Sequence, residues 1–229
     1  YAVPPGCASL LSAPLGWALL WALLPSLLIN VYVTGLNQLF DIELDRINKP
    51  TLPLAAGDMT PAVGSAVVLG SLVGGLALGW GHARFCTDAL RATLLGSALL
   101  GTAYSLPPLR LKRFPLAAGL CIMTVRGALI NWGFFWHGAL AASAAPLAAP
   151  LIQAQRWRCL APVGFFCLFG SVIALIKDVP DVAGDKLYGI RSFSVRLGQA
   201  QVLRLGVRML CANLCAAAAL VGVAAVRAA

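Results

Sequence analysis

Acidic side chains are scarce in this chain: eight Asp and Glu stand against 17 Lys and Arg, and charged residues make up only 11% of 229. A soluble domain ordinarily carries about a quarter charged residues. With 60% hydrophobic residues and a mean hydropathy of +0.85, a water-soluble core of this size is not expected. Histidine is rarer still, with two, and the seven cysteines include no CxxC pair, which removes the usual zinc patterns. Cys7, Cys86, Cys121, Cys159, Cys167, Cys211 and Cys215 fall mostly in or beside apolar runs and read as small buried hydrophobes. Neither an initiator Met nor a basic, apolar, small-residue leader opens the sequence at Tyr1, so it reads as a mature form or an internal fragment. The net charge of +9 lies between apolar stretches with no soluble nucleic-acid module beside it. That placement suits anionic lipid or an anionic substrate.

What the chain does have is long apolar runs. Six of them, at about 15–40, 61–81, 89–106, 116–140, 159–177 and 201–226, are long enough to cross roughly 30 Å of hydrocarbon. They predict an all-α, polytopic transmembrane helix bundle. Residues 1–14 read as the remnant of an earlier span, and 141–155 as an Ala/Pro-rich connector. Alternation puts the loops around 46–60, 107–115 and 178–200 on one side of the membrane, with Arg46, Lys49, Arg110, Lys112, Arg113, Lys177, Lys186, Arg191 and Arg196. The opposite loops hold Arg84, Arg91, Arg156 and Arg158. By the positive-inside rule the richer face is the inward one.

Six of the eight acids gather on that face in two groups, Asp41, Glu43, Asp45 and Asp178, Asp181, Asp185, leaving Asp58 and Asp88 isolated. Asn37, Asp41 and Asp45 recur every four residues, which on a helix keeps all three on one side and turns Glu43 away. Carboxylates at the end of a membrane helix are costly unless they face a cavity or a partner. Hard oxygens at this spacing suit Mg²⁺, which completes its shell with water and phosphate oxygens. Pairing of Asp41 and Asp45 with Arg46 or Lys49 is the alternative. In the second group Pro180 and Gly184 weaken a continuous helix. Two metals and a diphosphate would resolve the repulsion between two such groups sharing one pocket.

Around the acids, the Pro-stiffened loop YSLPPLRLKRFP carries Arg110, Lys112 and Arg113; all three read as interfacial anchors, or Lys112 and Arg113 bind diphosphate oxygens. Arg126 lies about ten residues inside the fourth run, ~15 Å by helix rise. It needs a counter-charge, from the acid groups or from a substrate. Asn131 supplies either a site contact or a helix-to-helix hydrogen bond. Tyr104, Tyr32, Trp132, Phe134, Phe135 and Trp136 fit an interfacial belt or the shielding of an allyl cation. His82 and His137 read as interfacial residues.

NQLFDIELD with DVAGD, flanked by GTAYSLPPLRLKRFP, TVRGALINWGFF and ALIKDVPDVAGDKLYGIRSFSVRLGQ, resembles the UbiA superfamily of intramembrane prenyltransferases, and within it the plant and algal homogentisate prenyltransferases, the phytyl-transferring group most of all. The resemblance covers roughly residues 30–200. It implies Mg²⁺-dependent transfer of a prenyl group such as phytyl from its diphosphate to homogentisate or a related aromatic acceptor, as in tocopherol and plastoquinone biosynthesis, in a plastid membrane. It implies that Asp41, Asp45, Asp181 and Asp185 hold the metal and act in catalysis, with Asn37 in support. Lys112, Arg113 and Arg191 would neutralise the diphosphate, and Tyr104, Lys177 and Asp178 complete the substrate-binding set. Arg126 would meet the acceptor's carboxylate. A single prenyltransferase domain of about nine helices is the family pattern, so the first helix and the last two would be missing here. The lipid bilayer is the expected partner; no protein partner is inferable and no nucleic acid is expected. Other acceptors (chlorophyllide, a quinone precursor, a flavonoid) and an ion-coupled transporter remain as alternatives.

Overall fold

The computed structural model describes residues 13–82, 85–142 and 148–228. Cys7, Arg84 and most of the expected span over 1–14 lie outside them. Every regular element among the described residues is helical. Helix α1 (Ala13–Phe40) runs into the short α2 (Ile42–Asn48) and α3 (Pro53–Ala56), then α4 (Pro61–Gly81) and α5 (Asp88–Ser105) form an antiparallel pair. After a 3₁₀ turn at Leu111–Arg113, a single long span is built from α6 (Pro115–Ile122), a π-helical turn (Met123–Leu129) and α7 (Ile130–Ala142). Helix α8 (Ala148–Ile176), the short α9 (Val182–Leu187) and α10 (Phe193–Leu197), and α11 (Gln199–Ala228) complete the chain.

Among the described residues, five helical stretches are long and apolar enough to cross a membrane: Gly16–Phe40, Pro61–Gly81, Pro115–Ala141, Cys159–Ile176 and Gln199–Val223. The sixth expected span, α5, is a full helix but a less apolar one. Asp88 and Arg91 pair in its first turn, and Thr93, Ser97, Thr102 and Ser105 follow. Its 18 residues reach ~27 Å, and it packs among α1, α4 and α7. Helix starts follow local rules: Thr60 and Thr87 accept from Val63 N and Leu90 N, and Pro61 and Pro115 occupy the first turn, where no N–H is needed.

The polarity of the bundle is that of a membrane protein. Leu19, Leu69, Val73, Leu116, Leu120 and Val221 are exposed, while Ser71, Thr93, Ser105, His137 and four aspartates are buried. Ile29, Tyr32, Leu36, Val68, Leu90 and Leu94 form the packed seam between α1, α4 and α5. Tyr32, expected in an aromatic belt, is buried and hydrogen-bonded to Thr102 at 2.6 Å. His137 is buried rather than interfacial, because Thr87 Oγ1 at 2.9 Å and the Ala18 carbonyl at 3.1 Å satisfy both ring nitrogens. Burial holds its pair of nitrogens away from water. Cys86, Cys121 and Cys159 are buried as expected, whereas Cys211 and Cys215 lie exposed on α11.

Helix spacing is set by two close approaches. A Cβ on Gly127 would stand 2.6 Å from the Cα of Cys167, and one on Gly133 only 1.7 Å from Thr93 Oγ1. The first pins the π-turn to α8, the second pins α7 to α5. Gly127→Ala is therefore expected to lower the melting temperature in detergent, by about 1–3 kcal/mol of overpacking. Gly164→Ala, inside α8 with open space around it, should keep or raise it; equal melting of the two variants would refute this packing.

Candidate active site

The backbone bends where the first acidic group begins. Asp41, at φ −122° and ψ 15°, separates α1 from α2, yet Asp45 N still donates to Asp41 O at 2.7 Å. The expected unbroken helix is thus a kinked one. The side assignment survives the kink: Asp41 and Asp45 are each 5% exposed, and Glu43 points out to pair with Arg46. The second group starts just past α8 and turns at Pro180 before Asp181 opens α9, so Asp181 and Asp185 sit one helical turn apart and both are buried.

Helices α2 and α9 touch directly. Gly184 N donates to Asn48 Oδ1 at 2.9 Å, an approach that a Cβ on Gly184 would block at 2.5 Å. One residue further, Lys49 Nζ reaches Asp181 Oδ2 at 2.5 Å. The two acidic groups are thereby clasped together on one side of the bundle.

Each group has two carboxylates in ion pairs and one outside any among the described residues. Asp41 is held by Arg110 Nη2 at 2.8 Å and by Lys112, which also donates to Asn37 Oδ1 at 3.0 Å. Asp181 is held by Lys49. Asp45 and Asp185 make no ion pair among the described residues. Burial, then the Asp41 charge, pushes the Asp45 carboxyl up to about 6, and burial raises Asp185. Burial likewise lowers the Lys112 ammonium. Asp178 pairs with Lys177, which lies beside the Tyr104 hydroxyl. Asp181 Oδ1 is buried without a hydrogen-bond partner among the described residues, and the Ser192 hydroxyl lies against the Asp185 carboxylate.

This donor set fits a hard divalent cation: free, desolvated carboxylates from both helices, with an orphaned carboxylate oxygen between them. Among the described residues no three of the acids, His or Cys already stand as a closed ligand cluster.

Beneath the acids lies a cavity of ≈ 620 Å³. Asn37, Asp45, Lys49, Tyr104, Ser105 and Lys177 line its polar end, while Ile29, Val33, Leu94, Phe134 and Ile173 line the rest. Arg126 is on its wall. No acid reaches Arg126, which makes no ion pair among the described residues, so the counter-charge expected from the acidic groups is absent. Asn131 is spent on the carbonyls of Arg126 and Gly127.

Two expected diphosphate ligands stand elsewhere. Arg113 is exposed and lines a separate concavity with Asp41, Arg46, Arg110 and Tyr188, and Arg191 is exposed and lines neither. Arg110 is the residue that the sequence reading passed over. It adopts φ 37°, a left-handed conformation unusual without glycine, and its guanidinium donates to Phe40 O and Asp41. Strain of this kind persists where surrounding contacts fix it. Three basic residues in four positions gave no sign of which one turns inward.

The model of the UbiA prenyltransferase family matches residues 2–228. The chain is 43% identical to a probable homogentisate phytyltransferase 1, chloroplastic, of Oryza sativa subsp. japonica, over 84% of this chain and 46% of that one. It is 44% identical to a homogentisate geranylgeranyltransferase of Hordeum vulgare, over 82% and 45%. With the homogentisate phytyltransferase of Synechocystis sp. it shares 42% identity over 80% and 56%. It spans about half the length of these relatives. Its fold matches that of a UbiA homolog from Archaeoglobus fulgidus solved with DMAPP and Mg²⁺, with a TM-score of 0.56, 17% identity and coverage of 87% and 70%.

The paired and unpaired acids should respond oppositely to amidation in metal-free detergent. Asp41→Asn strands Arg110 and Lys112 and should lower the melting temperature. Asp45→Asn removes a carboxylate whose ionised form folding disfavours, so it should raise melting above the parent at pH 8. Since the folded-state proton is taken up near pH 6, that gain should shrink as pH falls through 6 and vanish near 4. Equal losses in both variants at every pH would contradict this charge arrangement.

Proposed function

Because the chain belongs to the UbiA prenyltransferase family, we propose that it transfers a prenyl group such as phytyl from its diphosphate to homogentisate or a closely related hydroquinone acceptor, in a Mg²⁺-dependent reaction. The observation that carries this reading is the clasp of α2 against α9. It brings the helix carrying Asp185 against the one carrying Asp45, and Asp45 lines the polar end of the cavity. The names of the relatives supply the acceptor and the prenyl donors, and the word chloroplastic in several of them supports a plastid membrane.

Asp45 and Asp185 would hold Mg²⁺ first, with Asp41 and Asp181 joining as their lysine and arginine partners turn to the diphosphate. When bound, the metal supplies Lewis-acid charge to the leaving oxygen. Lys112, Arg110, Lys49 and Lys177 are within the same cluster and neutralise the diphosphate as the allylic C–O bond breaks. Apolar walls from Ile29, Val33, Leu94 and Phe134 keep water from the allyl cation, and Phe134 and Tyr104 offer it π faces. The electron-rich acceptor ring forms the new C–C bond and the substituted ring carbon gives up its proton; where the acetate arm also leaves as CO₂, a proton is taken up by the CH₂ that becomes the methyl group. We read all the described helices as parts of one prenyltransferase domain.

Membranes carrying the protein, given Mg²⁺, labelled prenyl diphosphates and homogentisate, should form a prenylated product. Asp45→Asn and Asp185→Asn should each cut that transfer by about 100-fold or more, in line with loss of a metal ligand, while the bundle still elutes as a folded species. Parental turnover in either variant would remove these carboxylates from the metal site.

A further inference from the structure

Arg126 is exposed on the cavity wall, eleven residues past Pro115 and so ~16 Å along the span. The local backbone is built to put it there. Met123–Leu129 is π-helical, and such a turn widens the helix and frees carbonyls from regular pairing. Asn131 Nδ2 takes up two of them, Arg126 O at 2.8 Å and Gly127 O at 2.9 Å. On the far side Gly127 is pressed against Cys167. The residue next to this fixed point is turned to the cavity wall beside Val125, Ile130 and Phe134.

An arginine at this depth without a counter-ion is costly, and its partner has to be an anion that enters the cavity. Lipid phosphate lies outside a hydrocarbon half-thickness of roughly 15 Å. The leaving diphosphate is accounted for by the lysines and Arg110 at the acidic end. We propose that Arg126 is a specificity-determining residue that pairs with the carboxylate of the aromatic acceptor, with Asn131 and the π-turn as its positioning elements. This rests on the prenyl-transfer reading above and deepens it. A guanidinium meets a carboxylate through two parallel N–H bonds. The ring, tethered by its acidic arm, then lies between Arg126 and the cluster where the donor ionises.

The test compares homogentisate with its methyl ester and with methylhydroquinone, which has the ring but no carboxyl. The parent should favour homogentisate. In Arg126→Gln its KM should rise about tenfold or more, the donor KM should stay within about twofold, and selection over the ester should collapse. Arg126→Lys, which keeps the charge and guards against misfolding, should fall between. Asn131→Ala should raise the homogentisate KM alone. Undiminished selection in Arg126→Gln overturns the assignment while leaving prenyl transfer standing. If the parent transfers to none of these acceptors, the functional reading fails, and tryptophan quenching by homogentisate against its ester still decides: binding lost in Arg126→Gln upholds the pairing, equal binding in both removes it. Nanodiscs of zwitterionic and of anionic lipid separate the other source of anion. An Arg126 effect that requires anionic lipid and ignores the acceptor overturns the proposal.

Discussion

Carboxylates pressed together at the rim of a hydrocarbon layer repel unless cations stand between them, and the polar end of this bundle is arranged around that repulsion. Asn48 and Gly184 lock α2 to α9 and bring two acidic groups together. Lys49, Arg110, Lys112 and Lys177 then take the charge of Asp41, Asp178 and Asp181. Asp45 and Asp185 are left, one in each group, buried and unpaired. Asp45 and Asp185 are thus the carboxylates that would be available to a divalent cation. The site's ammonium and guanidinium groups are already in position for an anion that arrives with the metal.

The same charge pattern bears on the transporter alternative. A coupling-ion site near the bilayer midplane would need acids partway along the spans, whereas here all the site carboxylates follow the ends of α1 and α8. Arg126, which lies partway along a span, has the wrong sign for a cation path. Deep apolar volume, a cationic residue on its wall and a metal-ready mouth suit a reaction in which an anion leaves at one end and an acidic aromatic is held at the other.

Much of this was legible in the sequence because helical period acts on nearby residues. Spacing alone placed Asp41 and Asp45 inward and Glu43 outward, and Pro180 marked the break before α9. What escaped depends on contacts between distant segments. Arg110, with its left-handed backbone, and Lys112 both face Asp41, whereas Arg113 is exposed, and the sequence LRLKR does not separate them. The π-turn arises from Gly127 meeting Cys167 and from Asn131 serving its own helix, so a partner expected across the bundle for Asn131 was the wrong one. His137 looked interfacial because Thr87 and the Ala18 carbonyl are far away along the chain. For α5 the composition sits at the edge of what reads as a span, since its hydroxyls face protein rather than lipid.

The most direct test of a single metal-diphosphate site shared by both acidic groups is the binding of Mn²⁺, followed by electron paramagnetic resonance, with and without inorganic diphosphate. Diphosphate should tighten Mn²⁺ binding, and Asp45→Asn and Asp185→Asn should each abolish that gain. Tightening that survives in either variant would mean that the two groups do not act on one ligand.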